Sequence, residues 1–266
     1  MIHPTAIIGP RAKIGANVAV GPHTIIGDEV TIGDGTSIGA NVVIEGEVLI
    51  GRDNRIGHGA LIGGAPQDVS FSETTRSRVE IGERNLIHEY CTIHRGTKEG
   101  SATTIADDNF LMVGAHVGHN CTVGNKVIIA NNVLLGGYVS LADQAFIGGG
   151  TTFHQFMRVG RLVMVQGSSA FGKDLPPFTL AAERNAIFGL NIIGLRRAGF
   201  SAAQRDEIKR AFKLLYLSEL NTKQALAQSG TMKWTEIGRE FFDFVAEALK
   251  TRGVCPYHRS KASNDV

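Results

Sequence analysis

The stretch AIIGPRAKIGANVAVGPHTIIG, residues Ala6–Gly27, places an aliphatic side chain at every sixth position. Ile8, Ile14, Val20 and Ile26 hold that slot, and a glycine follows each. The series continues without a miss through Ile32, Ile38, Ile44, Ile50, Ile56 and Ile62, and only Glu45 interrupts the following glycines. Two positions ahead of each aliphatic residue stands a compact one, such as Ala12, Val18, Thr24 or Val30. The frame breaks after Gly64, where Ala65–Arg78 turns polar and contains Pro66. It resumes at Ile81 and runs to Phe171, missing only at Glu99 inside a second polar segment, Arg95–Thr103.

A six-residue period fits neither an amphipathic helix nor an alternating strand. It fits short parallel strands separated by corners and wound as a β-helix, with the aliphatic residue of each hexad turned inward. Glycine, asparagine and aspartate take the backbone conformations that corners need. One coil cannot bury its own inner face, so coils must stack on their neighbours. Three hexads make one coil of 18 residues, and at about 4.8 Å per coil the repeats predict a prism roughly 40 Å long. The two breaks in frame predict protruding loops near residues 65–78 and 95–103.

The expected organisation is mainly β: residues 1–184 form the β-helix and residues 185–266 a helical C-terminal domain. Past Pro176–Pro177, Ser201–Leu217 has apolar residues at helical spacing, with Ser201 as N-cap. Thr222–Gln228 and Thr235–Lys250 also read as helices, each opening on a threonine able to cap it. Pro256–Val266 reads as a frayed tail.

Composition narrows the function classes. Thirty-three glycines in 266 residues agree with many tight corners, and without a three-residue period they exclude collagen. A net charge of +2 gives no argument for nucleic acid. No run of apolar residues is long enough to span a membrane, and the N-terminus lacks the pattern of a signal peptide. Cys91, Cys121 and Cys255 are too widely spaced for a metal-binding motif and read as reduced, buried thiols of a cytoplasmic protein.

The chemistry concentrates in AHVGHNCTVGN, Ala115–Asn125. Val117 and Val123 take the inward slots, which sets His116 and His119 on an outer edge. Residues 18 apart stack, so His119 lies under Gly137, Asn120 under Tyr138, and His154 two coils above Gly118. His119, Gly136, Gly137, Tyr138 and His154 thus form one patch. An imidazole that titrates near neutrality is suited to general-base work. Glycine beside it lets a thioester approach the backbone, where a free N–H can hold an oxyanion.

The segments HRGT (His94–Thr97), AHVGHNCTVGN, HQF (His154–Phe156), KDLPPF (Lys173–Phe178), FGLN (Phe188–Asn191) and LRRAGF (Leu195–Phe200) resemble the acyl-carrier-protein–UDP-N-acetylglucosamine O-acyltransferase family, whose reaction opens lipid A synthesis. The resemblance covers nearly the whole chain. It implies a left-handed β-helix, a homotrimer with active sites between subunits, and no cofactor or metal. It also implies transfer of an acyl group from acyl carrier protein to a UDP-sugar. His119 would be the general base and the Gly137 N–H the oxyanion donor. His116, His154 and Gln155 would contact substrate, while Asp68, Asn191 and Arg197 would hold the nucleotide sugar, partly across the subunit boundary. Gly167 would leave room for a long 3-hydroxyacyl chain.

The chain departs from the usual family pattern at Asn120, where Asp is common, and at Tyr138, Ser70, Ile193 and Ala198. These cluster on the acceptor side and leave a 3-amino analogue of the UDP-sugar as an alternative acceptor. The basic set Arg196, Arg197, Lys209, Arg210 and Lys213 reads either as a docking surface for the acidic carrier protein or as a solvated face. Two other function classes fit the fold. A metal lyase of the γ-carbonic-anhydrase type would need three converging histidines, and a non-catalytic binding module would need no base.

Overall fold

The computed structural model describes residues 1–258. Its larger part is a three-sided parallel β-helix. Face I has nine strands, from Ile7–Ile8 to Ala170–Phe171, and face II has eight, from Lys13–Ile14 to Arg158–Val159. Face III has ten, from Ala19–Val20 to Ala186–Leu190. Strands pair in parallel across one coil, as Ile26 with Ile44 and Val117 with Leu135. The hexad residues face inward and are buried; Ile44, Ile62, Ile93, Leu111, Val117, Ile129 and Leu135 are all inaccessible to solvent. Ile8 and Ile14, in the terminal coil, have no coil beneath them and are only partly buried.

The corners repeat as regularly as the core. Asn17, Gly35, Asp53, Arg84, Asp108, Lys126, Gln144 and Leu162 all take positive φ at the II/III corner. Asparagines inside that corner build a ladder. Asn54 Oδ1 accepts from the N–H of Asn85 at 2.9 Å, Asn85 Oδ1 from that of Asn109 at 2.9 Å, and Asn109 Oδ1 from that of Val127 at 2.7 Å. The ladder satisfies amides that would otherwise be buried without acceptors.

The chain enters the coil within its first residues, since Ile2 bridges Val20. At the other end the prism runs past Phe171. Thr179–Ala182 continues face III in parallel, and Ala186–Leu190 then turns back antiparallel to it. The expected loops are present, the first between Gly64 and Arg78 and the second between His94 and Ala102.

Among the described residues four helices follow: α1 (Ile192–Arg197), α2 (Ala202–Phe212), α3 (Thr222–Ser229) and α4 (Glu236–Ala248). The short helix α1, capped by the Asn191 side chain, has no counterpart among the helices expected from the sequence. Ser201 caps α2 as predicted, in a capping box with Gln204, and a π-turn over Lys213–Leu217 extends that helix. Asn221 caps α3, not Thr222, because its side-chain oxygen accepts from Gln224 N while Gln224 returns to the Asn221 N–H. Thr235 caps α4. Arg161 locks α4 to the prism through a two-pronged ion pair with Glu240, its shorter contact 2.6 Å.

The expectation of a frayed tail fails at its start. Ile187 N–H donates to Pro256 C=O at 2.9 Å, His258 N–H donates to Ile187 C=O at 2.7 Å, and the His258 ring stacks on Phe188. The rest of that tail, 259–266, lies outside the described residues. The three cysteines are free and buried, and no helix among the described residues is long and apolar enough to cross a membrane.

Candidate active site

The I/II corner carries the site. Gly118–His119, Gly136–Gly137 and His154–Gln155 occupy successive coils there, and a cavity of about 130 Å³ opens beside them. Its lining also includes His94, His116 and Gln67, the last brought over from the first loop. His119 points outward from the core, as the hexads predict, yet is only 6% exposed. Loops, which periodicity does not describe, enclose it.

The His119 ring lies against Gly137, where a Cβ would collide with its Cε1, Nε2 and Nδ1. Only glycine leaves room for the imidazole. The Gly137 N–H has no acceptor among the described residues. His119 Nδ1 lies 3.1 Å from Asn120 Oδ1. An amide oxygen only accepts, so Nδ1 carries the hydrogen and the Nε2 lone pair remains for a proton. The Tyr138 ring meets the His119 ring edge-on at 5.3 Å and stacks on Phe156 at 4.7 Å.

His116 is a poor base. Burial, then the neighbouring His94 and His119, push its pKa down to about 4. Its Nδ1 is 2.8 Å from the Thr92 hydroxyl. His94 donates from Nδ1 to the Ala65 carbonyl at 2.7 Å, which ties the root of the first loop to the site. Asp68, next to Gln67, accepts from both the N–H and the hydroxyl of Ser70, at 2.8 and 2.7 Å. Those bonds hold its pKa below the usual carboxylate value, with a smaller contribution from His119. Ser70 therefore orients Asp68.

Of the residues singled out from sequence, His116, His119, Gly137 and Gln155 line the cavity, and Asn120 and Tyr138 flank His119. His154 is exposed one coil above Gly136. Asn191 and Arg197 are elsewhere. With Ile193 and Ala198 they border a larger cavity of about 880 Å³ on face III, beside Phe146, Met164 and Leu180. Face III lies opposite the I/II corner, so one chain does not unite these residues with His119. Gly167 sits at the III/I corner, close to the Gly149 carbonyl. His94, Gln67, Thr92 and Thr97 join the site although sequence reasoning gave them no role; His94 and Thr97 were visible within HRGT. Among the described residues no group of three or more His, Cys, Asp or Glu side chains is arranged to hold a metal ion.

Coils of hexads around a histidine set against backbone glycine define a hexapeptide-repeat transferase, and the model of bacterial transferase hexapeptide repeats matches residues 5–36, 29–64 and 102–137. The three-sided coil is the left-handed parallel β-helix that the sequence predicts. The model for the second domain of UDP N-acetylglucosamine O-acyltransferase matches residues 174–255. An acyl-[acyl-carrier-protein]–UDP-N-acetylglucosamine O-acyltransferase of Burkholderia lata is 49% identical over 229 residues, 85% of this chain and 87% of the relative. Its namesake in Gloeothece citriformis is 44% identical, over 73% of this chain and 71% of that one. UDP-N-acetylglucosamine acyltransferase of Francisella novicida superposes with a TM-score of 0.93 at 33% identity, covering 100% of this chain and 97% of that one. The Bacteroides fragilis enzyme gives 0.89 at 40% identity, over 96% and 99%. The chain belongs to the acyl-[acyl-carrier-protein]–UDP-N-acetylglucosamine O-acyltransferase family.

Proposed function

We propose that this protein transfers a long (R)-3-hydroxyacyl group from acyl carrier protein to the 3-hydroxyl of UDP-N-acetylglucosamine, the first step of lipid A synthesis. One observation carries the mechanism: the Nε2 face of His119 lies over Gly137 in the I/II cavity while Nδ1 is held by Asn120. His119 Nε2 takes the proton of the sugar hydroxyl as its oxygen bonds to the thioester carbonyl carbon. The Gly137 N–H holds the oxyanion that forms. Collapse breaks the C–S bond, and the imidazolium returns its proton to the departing thiolate. His116, kept neutral by burial, hydrogen-bonds substrate and does not compete for the proton.

Asp68, fixed by Ser70, accepts from the sugar, and His154 and Gln155 bind along the upper rim. Asn191 and Arg197 hold the nucleotide from a neighbouring subunit, which accounts for their place on face III. A homotrimer that sets face III of one protomer against the I/II corner of the next unites the two halves. Gly167 leaves the far end of the acyl path open. The buried free thiols accord with a cytoplasmic setting.

The test is mass spectrometry of products from a panel of acyl carrier proteins with UDP-N-acetylglucosamine and its 3-amino analogue. A long-chain O-acyl product is expected, lost in His119→Ala by a factor of about 10²–10⁴. Unchanged turnover in that variant would overturn the assignment of the base.

A further inference from the structure

Thr97 belongs to the second loop, and its hydrogen bonds are not explained by any role assigned above. Its backbone N–H donates to Asn120 Oδ1 at 2.9 Å, and its hydroxyl donates to the same oxygen at 3.0 Å. The hydroxyl oxygen also lies 3.0 Å from the Tyr138 hydroxyl. A threonine hydroxyl carries one hydrogen. Since Asn120 Oδ1 takes that hydrogen, Tyr138 must be the donor in the second contact. The result is a directed chain: Tyr138 O–H to Thr97 Oγ1, Thr97 O–H to Asn120 Oδ1, and His119 Nδ1–H to the same Oδ1.

The direction matters because an asparagine amide has two faces. If it were reversed, its NH₂ would donate to His119 Nδ1 and the ring hydrogen would move to Nε2. His119 would then have no lone pair toward the cavity. The reversed amide would also set N–H against the Thr97 N–H, two donors with no acceptor between them. The Asn120 NH₂ instead lies over Gly96, where a Cβ would approach it to 3.0 Å.

We propose that Thr97 is a positioning residue which, backed by Tyr138, fixes the orientation of the Asn120 amide and through it the tautomer of His119. A carboxylate offers oxygen from either side and needs no such control, so Asn120 and this hydroxyl pair act together. The proposal rests on His119 being the base.

Two measurements test it. Nitrogen NMR of protein with isotope-labelled histidine, the His119 signal assigned by its loss in His119→Gln, should report hydrogen on Nδ1. Hydrogen on Nε2 overturns the proposal, even if His119→Ala is inactive; an active His119→Ala instead removes the base reading itself. In steady-state kinetics Thr97→Val should lower kcat about tenfold, with KM little changed, the scale of one lost hydrogen bond. Tyr138→Phe should act in the same direction and less strongly. In an Asn120→Asp background the Thr97→Val effect should shrink to about twofold or less. An equal loss in both backgrounds would show that Thr97 acts elsewhere and refute the coupling. Should Thr97→Val not fold, Thr97→Ser, which keeps the hydroxyl, should retain activity, and the tautomer of the unmodified protein decides alone.

Discussion

Replacing Gly137 by alanine adds one methyl group at the point where the structure has least room for it. The added Cβ would fall among the Cε1, Nε2 and Nδ1 atoms of His119. Gly137 does not take positive φ, so the alanine backbone itself is unstrained and the cost lies in the ring. That ring is held by Asn120 on one side and meets the Tyr138 ring edge-on at 5.3 Å, so it must rotate away. An off-rotamer side chain costs about 0.5–1.5 kcal/mol and the lost hydrogen bond about 1 kcal/mol. The fold should therefore lose only about 2 kcal/mol. Catalysis should lose most of what a placed base supplies, about 10²–10⁴ in kcat. Thermal unfolding and steady-state assay together separate the two effects. Gly172→Ala is the control, since a Cβ there meets only the Asn185 side chain at 3.9 Å. A Gly137→Ala enzyme with more than a tenth of normal kcat would refute the packing argument.

Asn85→Ala removes one rung of the corner ladder and leaves the Asn109 N–H without its acceptor, so denaturant unfolding should show a loss of about 1–3 kcal/mol. Gly167→Leu should shift the product profile toward shorter acyl chains in mass spectra; an unchanged profile would remove Gly167 from the acyl path. His116 gives a pH signature whose sign follows from its depressed pKa. The unfolded chain takes up the proton near pH 6.5 and the folded one only near 4. Stability is full above about 6.5 and falls across that window, by about 1–2 kcal/mol after allowance for partial exposure. His116→Gln should flatten the curve between those limits.

The prism was legible because one slot in six decides burial, and Ile44 or Leu135 tolerates no polar replacement at the core. The corner stack of His119 and Gly137 followed from counting 18 residues. Counting failed where loops intervene. Thr97 and Asn120 are 23 apart and His94 bonds Ala65 across 29, so periodicity assigned neither pair. It also missed α1, whose six residues are too few to display a helical period. The tail misled for a different reason: Pro256 and Tyr257 gain order from Ile187 through backbone bonds that composition does not encode. The departures Asn120 and Tyr138, read singly, pointed only to the choice of acceptor. They prove to be two ends of one hydrogen-bonded unit.

The antiparallel return of Ala186–Leu190, with the C-terminal segment hydrogen-bonded against it, also closes part of one end of the prism. A β-helix ends in rows of unpaired N–H and C=O groups, the same template that drives amyloid growth. Here a strand of opposite direction covers part of that rim and cannot serve as the next parallel coil. A chain cut before this segment should expose the rim and aggregate, which light scattering would register; a monodisperse truncated chain would refute the argument.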